Sequence, residues 1–149
     1  MDKSLKIKYA AGLVFVGVVT VGILKVLKEV NDIKRDKDES VIFSGKRIKF
    51  DDEVFEDKSY GVMCGGLEID LSKALPSEED MDLCVTGRKS GIEIKVPQEW
   101  NVKAEGASVR SGVSVMTEYD ETDTESPKLF VNYDIKYSGL KIKYSSTDE

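Results

Sequence analysis

The stretch that decides the fold is Gly66-Leu67-Glu68-Ile69-Asp70-Leu71, a glycine followed by strict alternation of apolar and polar residues. The unit returns as Gly91-Ile92-Glu93-Ile94-Lys95-Val96, as Gly112-Val113-Ser114-Val115, and as Gly139-Leu140-Lys141-Ile142-Lys143-Tyr144. A weaker copy, Gly45-Lys46-Arg47-Ile48-Lys49-Phe50, precedes them. Alternation with a period of two marks a strand with one buried and one solvated face. The glycine steps are 21 (45 to 66), 25 (66 to 91), 21 (91 to 112) and 27 residues (112 to 139). Repeats of roughly 20–50 residues signal stacked coils or arrays. A repeat built only from short strands predicts a mainly β chain with a single β-solenoid domain, which turns the functional question from catalysis to surfaces.

The expected inward set is Leu67, Ile69, Leu71, Ile92, Ile94, Val96, Val113, Val115, Leu140, Ile142 and Tyr144. Further alternating pieces complete the coils: Tyr60/Val62/Cys64, Met81/Leu83/Val85, Trp100/Val102/Ala104 and Leu129/Val131/Tyr133/Ile135/Tyr137. Stacked in chain order, one outward ladder reads Glu68, Glu93, Ser114, Lys141 and the next Asp70, Lys95, Met116, Lys143. Asp70 over Lys95 is favourable; Glu68 over Glu93 is not. Gly66, Gly91, Gly112 and Gly139 read as structural turn glycines, supplying positive φ or close backbone approach at tight corners. No helix and no Lys-Ser/Thr follow Gly65-Gly66, so a phosphate loop is rejected.

The chain has 149 residues, enough for one domain, with 22 basic and 28 acidic side chains and a net charge of −6. An acidic balance argues against nonspecific nucleic-acid binding. There is no histidine, which removes Ser-His-Asp and Cys-His nucleophile activation and His-ligated zinc. Two cysteines, Cys64 and Cys84, are too few for a disulfide framework; two small buried residues is the preferred reading over a bridge between neighbouring coils. No convergence of acids or nucleophiles points to an enzyme, a cofactor or a resident metal.

The run Tyr9–Leu24 carries no charge, and with Lys25 snorkelling it extends through Leu27. No small-x-small cleavage site follows it, so it reads as an uncleaved single-pass anchor rather than a signal peptide. The expected organisation is a short polar N-terminus (1–8), a transmembrane helix (9–27), a charged helical stalk (28–40), the β-solenoid (41–144) and a polar tail (145–149). Lys3, Lys6 and Lys8 precede the span, while Lys25, Lys28, Lys34, Arg35 and Lys37 follow it. Basic residues accumulate on the cytoplasmic side, so the placement is in the cell membrane with the β domain leaning cytoplasmic.

Two features compete as interaction sites. Carboxylates at Glu118, Asp120, Glu121, Asp123 and Glu125 are numerous enough for calcium, but the stretch lacks the EF-hand glycine and terminal spacing, and a solvated loop is preferred. The better lead is apolar. Phe130 falls out of phase with Leu129 and Val131, Met116 falls on an outward ladder, and with Trp100 they mark a possible partner surface. The competing reading has Trp100 closing the core and Phe130 facing a loop.

The segment Cys64-Gly65-Gly66-Leu67-Glu68-Ile69-Asp70-Leu71-Ser72-Lys73-Ala74, followed by Gly91-Ile92-Glu93-Ile94-Lys95-Val96-Pro97, Trp100-Asn101-Val102 and Ser111-Gly112-Val113, resembles the LiaF-type C-terminal domain. That domain is also described as the cell-wall-active antibiotic response domain, and it is related to adhesin-like domains of bacterial membrane proteins. The likeness spans roughly residues 41–144. It implies a membrane-linked β-solenoid without enzymatic activity that binds protein partners and modulates a two-component response to cell-envelope stress. LiaF-type proteins carry several membrane spans before the domain; this chain carries one. The alternative function is a structural, adhesin-like scaffold that self-associates. Lys141 and Lys143 on an expected terminal strand, with a polar tail after them, discourage strand addition and favour the partner-binding reading.

Overall fold

A computed structural model describes Lys28 and residues 37–146. The expected span 9–27 and most of the stalk lie outside the described residues. Among the described residues no helix is long and apolar enough to cross a membrane.

Ten strands follow one another: β1 Glu39–Ile42, β2 Gly45–Val54, β3 Lys58–Met63, β4 Gly66–Leu75, β5 Met81–Arg88, β6 Gly91–Val96, β7 Asn101–Val109, β8 Gly112–Met116, β9 Lys128–Lys136 and β10 Gly139–Tyr144. Odd-numbered strands form one five-stranded sheet and even-numbered strands the other, and every pairing is parallel. The described chain is therefore mainly β, two parallel sheets wound as five coils in a β-solenoid-like stack. Each coil is one odd strand and the even strand after it. The first strand begins at Glu39, two residues ahead of the expected start.

Every coil passes from the first sheet to the second through two residues: Phe43-Ser44, Cys64-Gly65, Lys89-Ser90, Arg110-Ser111 and Tyr137-Ser138. The first residue of each pair is left-handed, with φ of 52°, 49°, 52°, 47° and 50°. No described glycine has a positive φ. This corrects the expectation for Gly66, Gly91, Gly112 and Gly139: the left-handed residue sits two positions earlier and carries a side chain. Such a conformation costs about 1–3 kcal/mol, and hydrogen bonds along the stack hold it. The Cys64 amide donates to Arg88 O at 2.9 Å, Lys89 to Lys136 O at 3.0 Å and Tyr137 to Val109 O at 3.0 Å. The serines add a second ladder. Ser90, Ser111 and Ser138 hydroxyls donate to carbonyls two residues back. Ser138 Oγ accepts the Ser90 amide at 3.1 Å, and Ser111 Oγ accepts the Ser138 amide at 3.0 Å. The second coil has Gly65 here because a Cβ would stand 2.1 Å from Ser44 O.

Identical corners give identical register. Gly45, Gly66, Gly91, Gly139 and Gly112 stack as Cα partners, and the residues after them follow suit, except beyond Lys49 of β2, where the register against β4 shifts. Leu67, Ile69, Leu71, Ile92, Ile94, Val96, Leu140 and Ile142 are buried as expected, facing Val62, Leu83, Val85, Leu129, Val131 and Ile135 of the first sheet. Val113 and Tyr144 are partly buried, but Val115 is 42% exposed.

The reason is the order of the coils. β9 lies between β5 and β7, and β10 between β6 and β8. The fifth coil is inserted between the third and the fourth, so the fourth ends the stack. The outward ladder reads Arg47, Glu68, Glu93, Lys141, Ser114, which corrects the chain-order ladders. Connections 55–57 and 76–80 each climb one level, 97–100 climbs two, and the longest, 117–127, takes the chain back one level to lay the fifth coil between the third and the fourth. That loop is tied down where it crosses. The Asn101 side-chain amide donates to Asp120 O at 2.7 Å and its oxygen accepts the Asp120 amide at 2.8 Å. The Glu118 amide donates to the Tyr144 hydroxyl at 3.0 Å.

Gly106 of β7 lies against β9 so closely that a Cβ would stand 2.0 Å from Tyr133 O and 2.7 Å from its ring. A Cβ on Gly91 would meet nothing within 4 Å. Gly106→Ala is therefore expected to destabilise the chain by about 1–3 kcal/mol, and Gly91→Ala to stabilise it by about 0.5–1 kcal/mol through reduced chain entropy. Urea midpoints of the two variants measure this; equal losses would show that the Gly91 position is closed.

Candidate interaction surfaces

The outer face of the second sheet stacks charges in register, including Glu68 against Glu93. The repulsion is relieved within the register by Arg47 and along diagonals by Lys95 and Lys143. Glu68 accepts Arg47 at 3.4 Å and Lys95 at 3.2 Å, while Glu93 accepts Lys143 at 3.0 Å. Arg47 also reaches Asp70 at 3.5 Å. Asp70 and Lys95, though outward-facing and adjacent in register, are buried. Burial acts to raise the Asp70 pKa, but the Ser72 hydroxyl (2.5 Å) and amide (3.0 Å), with the Lys95 and Lys49 charges, hold it below the usual 3.8. The Glu93 carboxyl is also held low, chiefly by its bond from Lys143.

Toward the corners, the same face changes character. The glycine row Gly45, Gly66, Gly91, Gly139 and Gly112 floors a trough of about 680 Å³ that crosses all five strands. Arg47, Glu68, Glu93, Lys141 and Ser114 stand along it. At the usual strand spacing of about 4.8 Å it runs about 19 Å. A Cβ on Gly45, Gly91, Gly112 or Gly139 would meet nothing within 4 Å, and on Gly66 would only touch Gly91 O at 3.9 Å. Neither positive φ nor packing calls for these glycines. On the corner side, Lys89, Arg110 and Tyr137 line a second hollow, with the Arg110 guanidinium 5.8 Å from the Tyr137 ring centre.

The two ends of the stack differ. At the N-terminal end, Lys46 occupies an inward position, in register with Leu67, and forms an ion pair with Glu39. At the other end, β7 and β8 each pair on one side only. There Val109, Val115 and Met116 are exposed at 46%, 42% and 49%, and 106–109 and 112–116 carry no charge.

The proposed partner-surface residues do not meet. Trp100 is 2% exposed and belongs to the core. Met116 lies in the second sheet at the open end. Phe130 lies in the first sheet, half-buried, with its ring 6.1 Å from that of Tyr119. In the acidic stretch, Asp120 Oδ1 accepts the Thr122 amide and hydroxyl, and Asp123 Oδ1 accepts the Glu125 and Ser126 amides. Those carboxylates close the crossover loop on itself, and among the described residues no group of three His, Cys, Asp or Glu could hold a metal ion. Cys64 and Cys84 are free thiols; Cys64 sits in a corner, while Cys84 has Ser59 and Asn132 as register partners. Lys141 and Lys143 lie on an inner strand, which corrects the edge argument built on them. What sequence reading missed was the serine before the glycine, legible as Ser44-Gly45, Ser90-Gly91, Ser111-Gly112 and Ser138-Gly139.

No protein-family model matches the chain, and neither do any curated proteins or solved structures.

Because its folded pKa is depressed, Asp70 adds stability that is complete above the unfolded value, near 3.8, and is lost as pH falls through the lower folded value. Asp70→Asn is expected to destabilise the chain at pH 7 and to leave the difference from the parent smaller below pH 3.8. Denaturant midpoints across pH measure this; a difference constant with pH would remove Asp70 from the acid branch.

Proposed function

We propose that the chain is a non-enzymatic, membrane-anchored β-solenoid that binds protein partners in bacterial cell-envelope stress sensing or regulation. The glycine-floored trough carries this reading. A repeat that leaves one outward position bare in all five coils, with no demand from φ or packing, leaves room for something lying across the strands. Arg47 and Lys141 with Glu68 and Glu93 give the wall both signs, which suits an extended partner segment carrying both signs rather than a polyanion. The resemblance to the LiaF-type domain supplies the envelope-stress setting, and the excess of basic residues after the span supports a cytoplasmic face.

The open spaces above the glycines provide the test. Gly91→Val with Gly139→Val fills the trough with side chains that suit strands and whose Cβ atoms would meet nothing within 4 Å. The expected outcome is unchanged thermal unfolding together with loss of the adducts formed in cells by a photoreactive residue at Lys141. The same full chain, fused after Glu149 to a reporter that fluoresces only inside the membrane, is expected to fluoresce. Adducts that persist in the filled variant sink the trough as the docking site; a dark inside reporter with an active outside one moves the domain and its partner to the other side.

A further inference from the structure

From Gly106 onward, the two strands of the fourth coil form an edge with no defence. Natural sheet edges are blunted by charges, prolines, bulges or inward-pointing polar groups, because unpaired N–H and C=O groups recruit other strands. The N-terminal end has such a device in the inward Lys46 and its ion pair with Glu39. On the fourth coil the start of β7 has the Lys103–Glu105 ion pair and a bond from the Val102 amide to Glu118 O, but the rest has none: β8 is Gly112-Val113-Ser114-Val115-Met116, and the second half of β7 is Gly106-Ala107-Ser108-Val109. In a chain in which 34% of residues are charged, nine edge residues without a charge stand out.

The order of residues in β8 says what fits it. Turned antiparallel on itself about Ser114, the strand places Val113 opposite Val115, Ser114 opposite Ser114, and Gly112 opposite Met116. This is the register that pairs all five residues. Inward valines meet inward valines and continue the core. On the outer face, the bulky Met116 lies over the bare Gly112. The corner residues 110 and 111 separate β7 from β8, so counting equally far back from the corner brings the same two-fold axis across β7 near Ala107. There Gly106 meets Ser108, both small, and Glu105, whose side chain is 64% exposed, comes beside the corner that carries Arg110 of the second copy. Opposite charges therefore meet at the rim of an uncharged seam.

We propose that two copies of this chain pair through the fourth coil, β8 with β8 and β7 with β7, about a two-fold axis perpendicular to the sheets. The result is a closed dimer with ten coils and continuous sheets. It does not grow into a filament, because each outer end carries the inward Lys46 and Glu39 pair. The seam takes up Gly112 and Ser114 at the last strand of the trough and leaves its floor and wall at Gly91, Glu93 and Lys141 open, so the dimer does not depend on a partner in the trough.

The test uses the full chain in detergent. Ser114→Cys in a background of Cys64→Ser and Cys84→Ser places one thiol on the two-fold axis, and Ser40→Cys in the same background places one at the opposite edge. Copper-phenanthroline is expected to convert the Ser114→Cys chain to a covalent dimer and to leave the Ser40→Cys chain monomeric. Val115→Lys or Met116→Lys gives the fourth coil the kind of charge that the first already has. Each is expected to weaken dimerisation by at least about tenfold, through like charges brought together at the seam, with the circular dichroism of the folded chain retained. The mass in detergent reads this across concentrations. A monomeric parent, equal crosslinking from both edges, a dimer indifferent to both lysines, or an open series of higher oligomers overturns the proposal.

Discussion

Zero stagger between coils is the constraint on which the rest of this structure depends. Parallel strands stacked in exact register put like position over like position, so each repeat must satisfy the same environment five times. A slip of one residue would turn Ile69 and Ile94 out and Glu68 and Glu93 in. The corners prevent it. A left-handed residue followed by serine or glycine is bonded to the same atoms of the adjacent coil at every level, so the strand after it always starts at the same height. The local conformational cost of each corner is offset by bonds that exist only when the next coil is in place, which makes register a cooperative property of the stack rather than of any one turn.

That constraint has an electrostatic consequence. Strict register alone would place Glu68 over Glu93 without relief. Here the adjacent outward position supplies the counter-charge one coil further on: Lys95 to Glu68, and Lys143 to Glu93. The second of these pairs exists because the fifth coil lies directly on the third. Had the coils stacked in chain order, Ser114 and Met116 would have met Glu93 and Lys95, leaving Glu93 without a basic neighbour in the next coil. The two lysines of β10 thus belong to an inner strand, and the uncharged β8 belongs to an end. Insertion also shapes assembly. The fourth coil cannot close on its neighbour until the fifth has passed back through the crossover loop, and long-range pairing of this kind slows folding relative to chain-order stacking.

Much of the fold was legible because its periods are short. Alternation picked out the strands and the inward apolar residues of β4, β6 and β10 apart from Ala74, and the five glycine-led copies match the five coils; the burial of the outward Asp70 and Lys95 was not legible. Coil order was not legible, because alternation says which face a strand buries and nothing about which strand lies beside it. The only trace was the 27-residue step from Gly112 to Gly139. The corners were misread for a physical reason: glycine is the ordinary bearer of positive φ, but bonds from the adjacent coil allow Phe43, Cys64, Lys89, Arg110 and Tyr137 to bear it instead. Trp100 could not be assigned from phase alone, since a large ring near a strand start serves a core or a surface equally well; packing places it inside. The exposed edge at β8 was hidden by the same ignorance of coil order, and it is where the expected inward Val115 comes out into solvent.

Residues repeated in every coil have two kinds of cause. Either each coil needs them for its own folding, or something that spans the coils uses them together. The serines are of the first kind, since each of Ser90, Ser111 and Ser138 bonds within its coil and two of them bond to the next. The glycines after them fail that test. Their φ values are not positive, the space above four of them is open, and a residue with a side chain would lose less entropy on folding at each of those positions. Five glycines in one row therefore weaken the sheet slightly at every level while emptying a strip across it. A cost repeated at every coil and relieved by no contact within the chain is best matched by a use outside it, and a bare strip about 19 Å long is the length of an extended segment of roughly six residues.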